Sequence, residues 1–431
     1  MAPFKKGPDY IDPLWLGQAA GRACYNLDFH TMEREEIGEL FARSMAGADV
    51  GIIEGNKGLY DGLDLDGSNS NAALAALLGA PVVLVLDTQG MTRGIAPLIL
   101  GYQDFDPAIR IAGVILNNVG GPRHESKLRR VIEHYTEVPV VGAVPRNQAI
   151  RIEERHLGLM PSNETQAAQQ RIDLIAAHVG SHVDLSRILQ IAASAPRFSP
   201  PPAPVHERPA VQVRVAVARD AAFGFYYPDD LEALERAGAE LVPFDTLRDS
   251  RLPEVDGLFI GGGFPETSMM ELEANHRMRA SIRSFIETGG AAYAECGGLI
   301  YLCRSLYWEG RRCEMVGVLP ADVQMHQKPQ GRGYVRLCET SHHPWPAGTP
   351  GKMVNAHEFH YSGIECLDPE VDFAYRVERG YGVDGSNDGL IYKNLLANYS
   401  HMRNVGSNNW AERFVVHVAR CVGRRNIDRQ R

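Results

Sequence analysis

The stretch Ala294-Glu295-Cys296-Gly297-Gly298-Leu299 decides how this chain reads. Upstream of it runs Leu258-Phe259-Ile260-Gly261-Gly262-Gly263-Phe264-Pro265-Glu266, and each stretch is an apolar run that ends in glycine. That pattern belongs to a buried parallel strand feeding a tight turn. Residues 291–294 form the expected strand and residues 299–302 open the expected helix. Cys296 then falls on a strand-to-helix elbow, its sulfur exposed and near a helix N-terminus that favours thiolate. The Gly-Gly-Gly turn of the neighbouring strand can bring backbone N–H groups close, as an oxyanion hole requires. A lone cysteine is most often a buried core thiol. The motif around this one points instead to a nucleophile.

A cysteine nucleophile needs a base adjacent in space, not in sequence. Asn394-Leu395-Leu396-Ala397-Asn398-Tyr399-Ser400-His401 reads as a short strand ending in a histidine, but the chain has fifteen histidines and separation alone selects none of them.

At 431 residues the chain is long for one domain, and two of about 200 residues are expected. A hydrophobic content of 44% with 23% charged residues is that of a globular protein. The formal charge of −9 argues against a general nucleic-acid binder. The seven cysteines, at 24, 296, 303, 313, 338, 366 and 421, show no CxxC spacing, so neither a zinc site nor a disulfide framework is indicated. No signal peptide and no membrane span stand out, which makes the cytoplasm the default.

The chain opens Met1-Ala2-Pro3-Phe4-Lys5-Lys6-Gly7-Pro8-Asp9-Tyr10-Ile11-Asp12-Pro13. Two lysines, a Gly-Pro turn and two aspartates three apart suit a loop that meets an anionic substrate and Mg²⁺; a solvated N-terminal loop is the equal alternative. Residues 50–53 read as a strand closed by Glu54, an acid placed to hold Mg²⁺ directly or through water. Asp61 follows in Gly58-Leu59-Tyr60-Asp61-Gly62, where capping a turn is the plain reading. Residues 71–78 look helical, and 81–86, 111–116 and 138–144 read as apolar strands, the first two closed by Asp87 and Asn117. Alternating strands and helices predict a doubly wound parallel sheet with ligands beyond its carboxyl ends. The charged loop Glu153-Glu154-Arg155-His156-Leu157-Gly158-Leu159 leads into a helical region reaching Ala193, and His156 by itself reads as a packed or surface histidine. Ser199-Pro200-Pro201-Pro202-Ala203-Pro204 is a semi-rigid linker. A second series of strands and helices begins at Val213 and carries Cys296. The expected division is 1–195, a linker at 196–211, and 212–425.

Lys-x-Gly-Pro-Asp-Tyr-Ile-Asp-Pro, Glu54-Gly55 through Asp61-Gly62, Glu154 to Leu159, and Val217-Ala218-Arg219-Asp220-Ala221-Ala222-Phe223 resemble the cobyrinic acid a,c-diamide synthase family. So do the Gly261 turn, the Cys296 motif and His357-Glu358-Phe359-His360-Tyr361-Ser362, and the likeness runs nearly end to end. It implies an N-terminal P-loop-type, dethiobiotin synthetase-like domain and a C-terminal class I glutamine amidotransferase (flavodoxin-like) domain. In that family ATP activates a peripheral tetrapyrrole carboxylate as an acyl phosphate, and ammonia from glutamine displaces the phosphate. Carried onto this chain, the resemblance makes Cys296 the nucleophile and His401 the proton shuttle, with backbone N–H groups near Gly262 or Gly263 and Gly297 holding the oxyanion. It places Asp9, Asp12, Glu54 and Asp61 at the Mg²⁺, nucleotide and acceptor site, with Lys5 neutralising phosphate. No third member of the Cys/His pair is named, and a homodimer is allowed.

Three departures stand out. The family carries a Walker A strand, loop and helix just before Pro-Phe-Lys, where this sequence opens, and Gly348-Thr349-Pro350-Gly351-Lys352-Met353 does not replace it. The chain as written is expected to bind ATP poorly, and a truncated start is expected over a natural loss. Asn56-Lys57 replaces a usual apolar pair, and Arg403 stands where a second histidine often follows. Both suit a sirohaem or nickel-sirohydrochlorin amidase of the same family. A glutaminase serving a partner synthetase and a nucleotide switch are the readings from other classes; an intact Cys296/His401 pair speaks against the switch.

Overall fold

The computed structural model describes residues 1–155, 158–164, 167–197 and 212–430; His156 and the proline-rich run at 199–204 lie outside the described residues. The chain forms two compact units, one of Met1–Phe29, Glu33–Ser162 and Gln166–Ala203, the other of His30–Met32, Asn163–Thr165 and Pro204–Arg431. No helix among the described residues is long and apolar enough to cross a membrane.

In the first unit the opening motif is not a loop from its first residue. Ala2–Lys6 is a strand, β1, with all five residues buried. It runs parallel to β2 (Tyr25–Leu27) and β3 (Gly51–Glu54), both neighbours covering it, and the loop begins only at Gly7, whose φ of 84° leaves the extended region. The lysines misled the reading, because charge at 5 and 6 masks an Ala-x-Phe core pattern. A second parallel sheet has the order β4 (Val82–Asp87), β5 (Ile111–Val119), β6 (Val140–Pro145). Ile95, Ile99, Leu128 and Ile132 of two helices pack against Leu84, Leu86, Val114 and Leu116 of these strands. Ile52 and Val85, on the edge strands β3 and β4, are exposed. The helical region up to Ala193 is two helices, Ala168–Gly180 and Leu185–Ala193, the second capped by Asp184, whose carboxylate accepts from the Arg187 N–H.

The second unit is built on a nine-stranded sheet. Five neighbours are parallel, in the order Ala239–Phe244, Val213–Ala218, Gly257–Ile260, Ala291–Glu295, Leu395–Asn398. The remaining four pair antiparallel. Ala216, Leu258, Ala292 and Ala294 face one apolar layer, whereas Val215, Val217, Phe259 and Tyr293 face the other, so both sheet faces are covered. This is why the strands read as unbroken apolar runs.

Register then fixes the site. Ile260 pairs with Ala294, and Glu295 with Asn398, so three chains leave the sheet side by side at their carboxyl ends. Approach is close at Gly298, where an added Cβ would lie 2.2 Å from the Ile260 carbonyl oxygen. Gly298→Ala is therefore expected to lower stability by about 3 kcal/mol through overpacking against backbone. Chemical denaturation followed by circular dichroism measures this; an unchanged midpoint would mean that the helix does not press on that strand.

Candidate active site

The elbow is present and strained. Cys296 has φ 46° and ψ −103°, a conformation side-chain-bearing residues rarely adopt. Its N–H donates to the Asn398 carbonyl (2.8 Å), and its own carbonyl accepts from Ile300 N–H (3.1 Å) in the short helix Gly297–Leu302. The residue is thus held by its backbone from both sides. The expected exposure of the sulfur does not hold: Cys296 is only 7% exposed. The Gly261–Pro265 turn lies against the elbow, with Gly263 backbone and Pro265 within 3.1 Å of where a Gly297 Cβ would sit.

His401 arrives from the adjacent strand. Beyond Asn398 the chain is gripped by the buried Asp388 carboxylate, which accepts from Tyr399 N–H (2.9 Å) and Ser400 N–H (3.0 Å). His401 then exchanges backbone hydrogen bonds with His357, 2.8 and 3.3 Å long. The imidazole is coupled electrostatically to the Cys296 side chain and stands with Nδ1 3.3 Å from Glu295 Oε2. Burial alone would pull its pKa down, but the bonds to Cys296 and Glu295 outweigh it and push the imidazole up to about 10. The structure thus joins Cys296 and His401, the pair expected from the resemblance.

The glycines act by absence of bulk. A Cβ on Gly262 would lie 2.5 Å from His401 Cε1, one on Gly263 2.0 Å from the Ala222 oxygen, and one on Gly297 2.9 Å from Gly263 N. Gly263 and Gly297 backbones therefore meet beside Cys296, while the Gly261 N–H is taken by Tyr226 Oη (2.9 Å). The loop behind Gly263 is set by Asp220, whose carboxylate accepts from Ala222, Phe223 and Thr246 N–H groups and the Thr246 hydroxyl.

Around His401, the His357 ring stacks at 4.9 Å and 17°, with Nδ1 3.3 Å from Tyr227 Oη. Burial and the charges of His401 and Arg403 hold His357 well below the ordinary histidine range, so it is neutral. His360 is structural, stacked on Tyr399 at 3.9 Å. Arg403, the departure from the family pattern, is 1% exposed and bonds Asp229 Oδ2 through Nε (3.1 Å) and Nη2 (2.8 Å), over the Tyr227 ring.

In the first unit, β1 sets Lys5 opposite Glu54, and the ammonium gathers three carboxylates: Asp12 at 2.5 Å, Glu54 at 3.5 Å and Asp9 at 3.9 Å. Burial works against the charge on Lys5, but Asp12, Glu54 and Asp9 outweigh it and raise its pKa. Asp9 is pushed up to about 6 by burial and by the charge of Asp12. Asp61 is not drawn into this cluster among the described residues; its carboxylate accepts from Gly58 N–H (3.0 Å), capping the turn. No set of three His, Cys, Asp or Glu side chains among the described residues stands ready as a metal cage, Glu54 included.

Two residues of the site were quoted in motifs without a role, Glu295 and His357. For Glu295 the signal was available: an acid closing an otherwise apolar buried strand is rarely buried without a partner. His357 gave none, since its neighbour is fixed only by the pairing of strands far apart in sequence.

Asp229→Ala would leave the Arg403 guanidinium buried and uncompensated, a change expected to cost about 3–5 kcal/mol. Thermal unfolding of the variant checks this; a midpoint within error of the parent would overturn the pairing as a structural tie.

The family of CobB/CobQ-like glutamine amidotransferase domains matches residues 214–409, and that of AAA domains matches residues 22–154. The cobyrinate a,c-diamide synthase of Magnetococcus marinus is 49% identical, over 95% of this chain and 89% of that protein. Those of Archaeoglobus fulgidus (42%, over 96% and 90%) and Methanosarcina acetivorans (40%, over 94% and 86%) are similar at nearly the same extent. At that identity and coverage the chain belongs to the cobyrinate a,c-diamide synthase family, glutamine-hydrolysing ligases.

Proposed function

We propose that this chain converts peripheral carboxylates of cobyrinate, the a and c positions, into primary amides with ATP and glutamine. The observation that carries the glutamine half is the pairing of His401 with Cys296, a buried cysteine on a strained elbow. The Cys296 sulfur, as the thiolate whose proton rests on His401, adds to the side-chain carbonyl carbon of glutamine, and the oxygen takes negative charge beside the N–H groups of Gly263 and Gly297. His401 gives its proton to the amide nitrogen, the C–N bond breaks, and ammonia leaves behind a thioester. His401, now neutral, takes a proton from the water that adds to the thioester; the C–S bond breaks and glutamate departs. The high pKa of His401 suits this order, because the resting imidazole holds the proton that the leaving nitrogen needs.

The carboxylate half is assigned to the Lys5 cluster. Its hard oxygen donors suit Mg²⁺, which is bound through one or two carboxylates plus phosphate oxygens rather than in a protein cage. Three carboxylates around one ammonium leave more negative charge than Lys5 balances, so the residues fit an added cation. Glu54, whose side chain is 46% exposed, and Asp12 would hold it. Bound there, Mg²⁺ would offset phosphate charge. Lys5 would neutralise the phosphate of the acyl phosphate that ammonia attacks, and Asp61 would keep the Gly58 turn in shape beside it. The work of this half is positioning and charge neutralisation.

Two substitutions in the full-length protein separate the halves. Cys296→Ala is expected to abolish glutamine hydrolysis while amidation with ammonium salts and ATP survives; continued glutamine hydrolysis would remove Cys296 as nucleophile. Lys5→Met is expected to lower amidation at least about 100-fold with either nitrogen source and to leave glutamine hydrolysis standing. Product mass spectrometry with cobyrinate, sirohaem and nickel-sirohydrochlorin as acceptors tests the macrocycle, and amidation of sirohaem alone would overturn cobyrinate.

A further inference from the structure

Glu295 is the last residue of the strand Ala291–Glu295, is 3% exposed, and follows four buried apolar residues. A carboxylate removed from water at such a place is strongly unfavourable unless its oxygens are bonded. Both are. Oε1 accepts from the Tyr293 hydroxyl (2.6 Å) and from Met402 N–H (3.0 Å), and Oε2 faces His401 Nδ1 at 3.3 Å. Tyr293 is itself held by Asn398 Nδ2 (3.2 Å), so the carboxylate is anchored by its own strand and by the neighbouring one. One acid therefore grips the His401 segment twice, by the ring and by the next backbone N–H. With Nδ1 donating to Glu295, Nε2 is left for Cys296.

We infer that Glu295 is the positioning residue of the glutaminase centre, the acid of a Cys296–His401–Glu295 triad carried on the nucleophile's own strand. This rests on the assignment of Cys296 and His401 above. The other charged neighbours of His401 are committed elsewhere. Arg403, two residues on, is paired with Asp229. Asp230 accepts from Asn404 N–H and Trp410 Nε1. His357, on the strand Met353–His360, is neutral. Glu295 does not touch substrate; it fixes the tautomer and plane of the ring that does.

The test uses the full-length protein, with glutamine hydrolysis followed across pH and Cys296 capture by the diazo-ketone analogue of glutamine. Glu295→Gln is expected to lower kcat about 100-fold with KM changed less than about threefold. The anion raises the imidazole pKa, so its loss lowers it, and the alkaline limb of kcat moves to lower pH. Glu295→Asp, which keeps the charge one methylene short, is expected to recover part of the rate and restore the limb. A Glu295→Gln protein with parental kcat and limb, beside an inactive Cys296→Ala, would overturn the positioning role alone. An active Cys296→Ala would overturn the reading it rests on. Should Glu295→Gln fail to fold, Glu295→Asp decides: parental kcat overturns the proposal, and a loss of about tenfold with the limb retained supports it.

Discussion

The second unit depends on keeping a protonated imidazole at a buried position. Cys296, His401 and Glu295 are all buried, and burial alone would empty the imidazole of its proton. That it keeps the proton is due to two short-range partners, the side chains of Cys296 and Glu295. Such partners act only in the right geometry, because an unpaired charge at this depth is worth several kcal/mol against folding. The surrounding structure is consistent with that demand. Asp388 fixes the chain just before His401, Glu295 fixes the residue just after it, and His357 covers one face of the ring. Farther out, Arg403 with Asp229 is a second buried pair.

Backbone geometry meets the same demand. A φ of 46° at Cys296 is unfavourable, and it persists because the N–H and carbonyl of that residue are tied to different elements. The glycines at 262, 263, 297 and 298 let those elements approach; a side chain at any of them would strike backbone or the His401 ring. Strain at one residue is thus balanced by close contact at four others, which explains why the two glycine-rich stretches come as a pair in sequence.

Legibility followed the range of the interactions. The parallel strands were readable because both faces are buried and the apolar runs are unbroken, and the elbow because glycine after a strand has few other uses. The helix Asn71–Leu78 was read to the residue. What escaped depended on contacts across long separations: β1 was hidden by lysines that a neighbouring strand buries, and the elbow of the buried Cys296 packs against a turn some thirty residues away. His401 could be chosen from the resemblance but not from spacing. Glu295 stood in the quoted motif and lacked only the partner that strand pairing supplies.

The two units handle charge in opposite ways, and this follows from what each must bind. The glutaminase centre holds its charges as a closed set, each with a partner of opposite sign, as suits a neutral amide substrate that brings only a developing oxyanion. The Lys5 cluster is left open: three carboxylates share one ammonium, burial and the charge of Asp12 push Asp9 up to about 6, and the Glu54 side chain reaches solvent. An unbalanced site of that kind gains most from a cation and a phosphate arriving together, since each offsets what the other brings. A closed set gains nothing from such ligands. The charge balance of each cluster, more than the identity of its residues, therefore underlies the division of labour proposed for the two units.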